Sequence, residues 1–136
     1  MATGDTVLTA DSLVRRPEGL GIALTLPWYR SLWLSSVSDI AVSVEGRAVP
    51  EDDLRVELGE RVLGVGELRE QWDVLWFVQD RLVVVVPLDE PPAEGQEVDV
   101  EVTVDLRLPY MQIAPTTYVT NHARDRRSLI AHGAAR

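Results

Sequence analysis

Val98-Asp-Val-Glu-Val-Thr-Val-Asp-Leu-Arg-Leu108 is the stretch that decides the fold class. Val98, Val100, Val102, Val104, Leu106 and Leu108 fall on one side of an extended chain. Asp99, Glu101, Thr103, Asp105 and Arg107 fall on the other. Strict alternation over such a length marks a strand with one face in a core and one in water. At about 3.3 Å per residue it spans roughly 36 Å, longer than an ordinary strand, so a bulge or a change of partner partway is expected.

The same period recurs outward from this stretch. Ile22, Leu24 and Leu26 alternate, as do Ile40, Val42 and Val44. Glu45-Gly46 then reads as a tight turn into Arg47-Ala48-Val49. Leu54, Val56 and Leu58 form a short strand that Gly59-Glu60 turns towards Arg61-Val62-Leu63. Val74–Val78 and Leu82–Leu88 are apolar on both faces and are separated by Gln79-Asp80-Arg81, which predicts a hairpin of buried strands. Asp89–Gln96 is a loop broken by Pro91, Pro92 and Gly95. Only Glu67–Trp72 could make a helical turn, with Leu68 and Trp72 four apart. The expected architecture is all-β: an antiparallel, jelly-roll-like sandwich of about eight strands with at most one short helical turn. Residues 1–120 form its single domain. Residues 121–136 lack periodicity and are expected to be an Arg-rich tail whose removal leaves the fold intact.

The 136 residues carry 22 acidic and 13 basic side chains, a net charge of −9, and every basic residue other than histidine is arginine. This balance argues against general nucleic-acid binding, because phosphate would be repelled. There is no cysteine, which excludes disulfides, thiolate metal sites and cysteine nucleophiles. No apolar run reaches the roughly 20 residues of a membrane helix, and the N-terminus lacks the pattern of a signal peptide. A cytoplasmic location is expected. Charge is also segregated. Glu45 to Asp105 holds 17 acids and 5 arginines, whereas Leu106 to Arg136 holds 5 arginines and 1 aspartate. Either a solvated acidic surface is followed by a ragged basic tail, or that tail docks on an acidic surface, its own or a partner's.

Catalytic patterns are missing. His122 and His132 stand ten residues apart with no spacing that brings them together, and they read as solvated surface histidines. Gly19-Leu-Gly21 and Gly64-Val-Gly66 lack the third glycine and the following helix of a dinucleotide site. Glu51-Asp52-Asp53 are consecutive, cannot converge on one metal and lack calcium-loop spacing. No catalytic residue, metal ligand or cofactor is assigned to this chain.

The informative residues are aromatic. Leu26-Pro-Trp-Tyr-Arg-Ser-Leu-Trp-Leu34 interrupts the alternation and places Trp28, Tyr29 and Trp33 beside Arg30. Leu108-Pro-Tyr-Met-Gln-Ile-Ala-Pro115 does the same after the long strand with Tyr110 and Met111. Loops seldom carry so much apolar surface without covering something. Three readings stand: plugs at the ends of a sandwich, a subunit interface, for which Trp, Tyr, Met and Arg are the enriched residues, or a sugar-stacking platform.

At these residues the chain resembles a known family, the small (β) subunit of bacterial C-glycoside deglycosidases. The resemblance is carried by Leu26-Pro-Trp-Tyr-Arg30, by Ser38-Asp-Ile-Ala-Val-Ser-Val-Glu-Gly46, by Glu97–Leu108 followed by Pro109-Tyr110-Met111, and by Trp72-Asp-Val-Leu-Trp76. It covers roughly residues 10 to 120. Glu45-Gly46 departs mildly from the Asp-Gly common in the family, and nothing carries over to the end after Asn121.

The resemblance implies the accessory subunit of a heteromeric lyase. A larger subunit similar to sugar-isomerase-type (β/α) barrels would hold a divalent metal, manganese, and the catalytic base. The substrate would be an aromatic C-glucoside oxidised to a ketone at C3 of the sugar. That carbonyl acidifies the neighbouring C–H, so elimination can expel the aglycone and break the C–C bond. On this reading Trp28, Tyr29, Arg30, Trp33, Tyr110 and Met111 form the subunit interface near the active site. The alternative is a stand-alone carbohydrate-binding or adaptor β-sandwich without enzymatic activity.

Overall fold

The computed structural model describes residues 7–27, 31–71, 73–89, 92–114 and 117–132, and the description of residues 108–114 and 117–120 is confined to the backbone. Among the described residues there are eleven strands: β1 (Leu13–Arg16), β2 (Gly19–Thr25), β3 (Leu32–Trp33), β4 (Val37–Val44), β5 (Arg47–Ala48), β6 (Arg55–Leu58), β7 (Arg61–Gly64), β8 (Leu75–Trp76), β9 (Arg81–Pro87), β10 (Glu97–Ala114) and β11 (Thr117–Ile130). They form a five-stranded sheet in the order β1-β2-β9-β6-β7, a four-stranded sheet in the order β11-β10-β4-β5, and a two-stranded ribbon of β3 and β8. All pairings between these strands are antiparallel. The all-β class therefore stands. The strands outnumber the expected eight because β1, β3 and β11 do not read as strands in the sequence. Three short 3-10 segments, Leu34–Ser36, Glu51–Asp53 and Val65–Glu70, replace the one helical turn foreseen.

The inward positions of both large sheets belong to one apolar core. Val98, Val100, Val102, Val104 and Leu106 of β10 are buried, as are Ile40, Val42 and Val44 of β4, and Leu20, Ile22 and Leu24 of β2. The alternation in the long strand is thus realised residue by residue. Its pairing with β4 slips between Asp105 and Leu106, and its pairing with β11 slips after Leu108, the irregularities that its length anticipates. β4 pairs with β10 no further than Val37 opposite Leu106, so β10 and β11 continue beyond it as two strands. The turn read at Glu45-Gly46 closes the β4–β5 hairpin, with φ of 51° at Glu45 and 79° at Gly46. Both values lie in the left-handed region that a two-residue hairpin loop of this hand requires.

Gly19 shows a different need. Its φ is 150°, and a Cβ built there would sit 2.2 Å from the Val86 carbonyl oxygen, so only glycine lets β2 meet β9 at this point.

Two expectations are corrected. Val74–Val78 and Leu82–Leu88 do not pair with each other. β8 pairs with β3, and β9 lies at the centre of the five-stranded sheet between β2 and β6. The buried indole of Trp76 donates from Nε1 to the Asp80 carbonyl at 3.0 Å, tying down the connection that the hairpin would have used as its turn.

The second correction concerns residues 121–136. Those up to Ile130 belong to β11, which pairs with β10 along a register running from Glu97↔Ile130 to Ala114↔Thr117. Beyond it, His132 makes a parallel bridge to Val14, with Arg15 N donating to the His132 carbonyl at 2.6 Å. The domain therefore does not stop at residue 120. Of the two readings of the basic segment, docking on the chain's own acidic surface is the one found. Arg124 contacts Glu101 at 2.6 Å and Arg126 contacts Asp99 at 2.9 Å, each reaching two residues along β10 from its directly opposite partner, while His122 Nδ1 lies 2.7 Å from Asp105. Hydrogen bonding to Asp99 raises the Arg126 pKa above the ordinary arginine value.

Candidate functional site

At one end of the sandwich the exit of β2 lies beside β10 and β11. β2 leaves the five-stranded sheet here, where Thr25 is opposite Arg81. Two residues on, the Pro27 carbonyl accepts from Asn121 Nδ2 at 3.5 Å. Asn121 is opposite Leu106, so this end is also the one at which β10 and β11 run past β4. The backbone thus brings the exit of β2 and the outer half of β10 to the same end. Trp28, Tyr29 and Arg30 lie outside the described residues, and the side chains of Tyr110 and Met111 do as well.

Trp33 is described, and its surroundings are informative. Leu32 is opposite Trp76 and Trp33 is opposite Leu75 in the β3–β8 ribbon. Leu32 and Trp76 are buried, so by strand alternation Trp33 and Leu75 take the outward face. Trp33 is 50% exposed, and Phe77 and Val78, which continue β8, are 46% and 43% exposed. Val78 N donates to Ser31 Oγ at 2.8 Å, and Leu34 N donates to the Val74 carbonyl at 2.7 Å. The ribbon is therefore held on both flanks, with Leu32 and Trp76 facing in and Trp33 exposed on the other face. Isolated exposed apolar residues are ordinary, but an indole, a phenyl ring and a valine along one short ribbon form a patch suited to another surface.

Phe77 and Val78 were not among the sequence candidates, because the apolar run Val74–Val78 reads as a buried strand. Its own composition held the signal. Trp76-Phe77-Val78 are three consecutive large apolar residues, and an extended chain cannot turn all three to one face.

A groove of about 340 Å³ is lined by Ser35, Ser38, Arg69 and Arg107. At the opposite end, a larger open groove of about 670 Å³ has Val44, Pro87, Leu88 and Val98 among its walls, with Glu45 and Arg47 also lining it. Among the described residues, no group of three or more His, Asp or Glu side chains is placed to hold a metal ion. His122 and His132 are both exposed. Glu51–Asp53 form an exposed 3-10 turn in which the Glu51 pKa is raised, chiefly by a hydrogen bond to Asp39. No described helix is long and apolar enough to cross a membrane.

Residues 9–110 match the family of C-glycoside deglycosidase β subunits. A C-glycoside deglycosidase β subunit of Arthrobacter globiformis is 47% identical over 130 residues, covering 96% of this chain and 98% of that protein. A 3'-dehydrocarminate deglycosidase β subunit of a Microbacterium species is 32% identical, covering 81% of this chain and 82% of its own length. A further C-glycoside deglycosidase β subunit, from Microbacterium trichothecenolyticum, is 33% identical over 82% of this chain and 84% of that protein. With the fold, the exposed ribbon and these likenesses taken together, the chain belongs to the C-glycoside deglycosidase β-subunit family.

Proposed function

We propose that this chain is the non-catalytic subunit of a cytoplasmic, heteromeric C-glycoside deglycosidase and that it docks its aromatic end on a larger (β/α)-barrel subunit. The barrel carries the divalent metal and the base. It cleaves the C–C bond of 3-keto C-glucosides of aromatic aglycones by elimination. The observation that carries this reading is the 47% identity to a β subunit over nearly the whole chain. Half-exposed Trp33, with Phe77 and Val78, supports the choice of end. Trp28, Tyr29, Arg30, Tyr110 and Met111 complete the interface in this proposal.

Purified chain, purified large subunit and their mixture, each with manganese supplied, test it on a 3-keto C-glucoside. Release of aglycone is expected from the mixture and not from the β subunit by itself. Turnover by the lone β subunit overturns the proposal. Binding of free sugar by the lone chain with no association to a barrel subunit overturns it in favour of a carbohydrate-binding module.

A further inference from the structure

The larger groove, at the end of the sandwich away from the aromatic ribbon, has a volume of about 670 Å³. Its floor comes from the ends of both large sheets. Val44 closes β4, Val98 stands near the start of β10, and Leu88 follows β9. Val44 and Val98 are buried, and Leu88 is half-buried. Pro50, Pro87 and Pro92 add three proline rings to the walls. Those walls are pinned by hydrogen bonds. Arg15 Nε donates to the Pro92 carbonyl at 2.7 Å, Leu88 N to the Glu18 carbonyl at 3.0 Å, and Val49 N to the Val42 carbonyl at 2.9 Å. A groove held in shape before its ligand arrives has little ordering left to do on binding.

The rim is polar and mixed in sign. Glu45 and Arg47 flank the turn at Gly46, Asp53 comes from the 3-10 segment Glu51–Asp53, and Gln96 directly precedes β10. Gln96 Oε1 accepts from Ala93 N at 2.9 Å, which leaves its amide nitrogen as a donor. Among the described residues no carboxylate pairs with Arg47. An aliphatic floor under a few donors and acceptors is the makeup of a small-molecule site, and the volume falls within the roughly 300–1,000 Å³ usual for one.

We propose that this groove binds a flat, uncharged phenol of about two rings. Valine, leucine and proline side chains give the faces of such rings close dispersion contact. Phenolic hydroxyls at the ring edge can donate to Glu45 and Asp53, and Arg47 supplies a cation for the ring face. A sugar fits less well, because its hydroxyls would stand unpaired against Val44, Val98 and Leu88. An anion would meet two carboxylates at the rim of a chain whose net charge is −9. The site lies away from the aromatic end and needs no partner subunit, so a failure of assembly would leave it standing.

Titration of the full chain with dihydroxynaphthalene, followed through amide NMR shifts, tests the site. Saturable binding is expected with a Kd below about 1 mM. The shifts are expected to centre on Val44, Val49, Leu88 and Val98, which line the groove. Ala48, an exposed groove residue on the two-residue strand β5, gives the blocking variant. A48W is expected to bind at least about tenfold more weakly. R47A is expected to weaken binding by a smaller factor, and W33A to bind like the parent chain. Glucose and naphthalene disulfonate are expected to cause no saturable shifts in the groove. Shifts centred on Trp33, Phe77 and Val78, or binding lost in W33A and kept in A48W, would place the ring at the aromatic end and overturn the proposal. Equal binding of the sugar or the disulfonate would overturn it too, as would no saturable binding of the phenol. The shift map of the parent chain needs no variant, so it decides the matter even where A48W fails to fold.

Discussion

Two ribbons of this molecule show opposite finishes on their outward faces. β10 and β11 turn Asp99, Glu101 and Asp105 outward, and each is met by a cation or histidine from the neighbouring strand. β3 and β8 turn Trp33 and Leu75 outward, with Phe77 following, and nothing described covers the rings. The first face is built for water. Its side chains are charged, its partners are local, and a charged edge strand discourages pairing with another chain. The second ribbon is much shorter but is also anchored, by hydrogen bonds at Ser31, Leu34 and Trp76, and it presents apolar surface. An anchored, exposed apolar ribbon on a molecule whose other ribbon is largely charge-paired is the arrangement expected of a subunit that is finished on one side and completed by a partner on another.

The largest expected effect strikes the charged ribbon from its inner side. β11 buries Ala123 and Leu129, followed by Ala131, and its inward Asp125 accepts the backbone N–H groups of both Val7 and Leu8 at 3.1 and 2.9 Å. Deleting residues 121–136 removes the edge of a sheet, the cap on the N-terminal segment and the bridge to β1 together. Loss of cooperative unfolding is expected, well beyond the 1 kcal/mol of an idle tail. A urea melt of the truncated chain as steep and as late as that of the full chain would show that β11 is dispensable after all.

Two tryptophans then sharpen the contrast within the apolar ribbon, because they sit on its opposite faces. Trp76→Ala is expected to destabilise the lone chain by about 3–5 kcal/mol, the cost of emptying a buried aromatic site. Trp33→Ala is expected to change it by less than about 1 kcal/mol, while weakening association with the large subunit by at least about 2 kcal/mol, roughly thirtyfold. Denaturant titration and a binding isotherm on the same two variants check both numbers. Equal destabilisation by the two would make Trp33 a plug and remove the distinction between the faces.

Removing ladder charges is expected to matter less. Arg124 and Arg126 have side chains 72% and 67% exposed, so each pair is screened and entropically costly to hold. Arg124→Ala and Arg126→Ala are each expected to shift the urea midpoint only slightly, with the loss shrinking as salt is added. A large, salt-independent loss would mean that the ladder holds the sheet and does more than finish it.

The same two ribbons explain what the sequence revealed and what it hid. β10 was legible because its described inward residues, Val98 to Leu106, are all apolar, and the β4–β5 hairpin because Glu45-Gly46 fits a turn with two positive φ angles. β11 was not legible, because its inward positions run Asn121, Ala123, Asp125, Arg127, Leu129. That sequence looks irregular until Val7 and Leu8 supply the donors for Asp125 and Arg127 Nε reaches it at 3.4 Å from the edge. The information needed was more than a hundred residues away. At the candidate site, Trp33 was legible as an aromatic in a break of the pattern. Phe77 and Val78 were hidden inside a run whose hydrophobicity signals burial, although two of its members face out.

The smallest effect tests a place where the charged face is imperfectly paired. Asp39 of β4 stands directly opposite Asp105 of β10, and like charges in that position repel. Asp39 also hydrogen-bonds Glu51. That bond is the main reason the Glu51 pKa lies above its usual value, with desolvation and the Asp39 charge adding to it and Arg69 opposing. A carboxyl whose pKa is raised on folding holds its proton more tightly in the folded chain. Its stabilising contribution is complete below the unfolded pKa and is lost as pH rises through the folded one. At neutral pH the pair is therefore a small liability, screened because Glu51 is exposed. Asp39→Asn removes the charge facing both Asp105 and Glu51 while keeping an oxygen and adding a donor. It is expected to raise stability at pH 7 by a few tenths of a kcal/mol, about the size of a single cross-strand charge pair. The gain should fade as pH falls through the raised Glu51 pKa, where that carboxyl takes up its proton. Urea midpoints of the two proteins from neutral to acid pH measure it. A loss of stability at pH 7 would show that the Asp39 carboxylate is satisfied as it stands and that the charged face is complete.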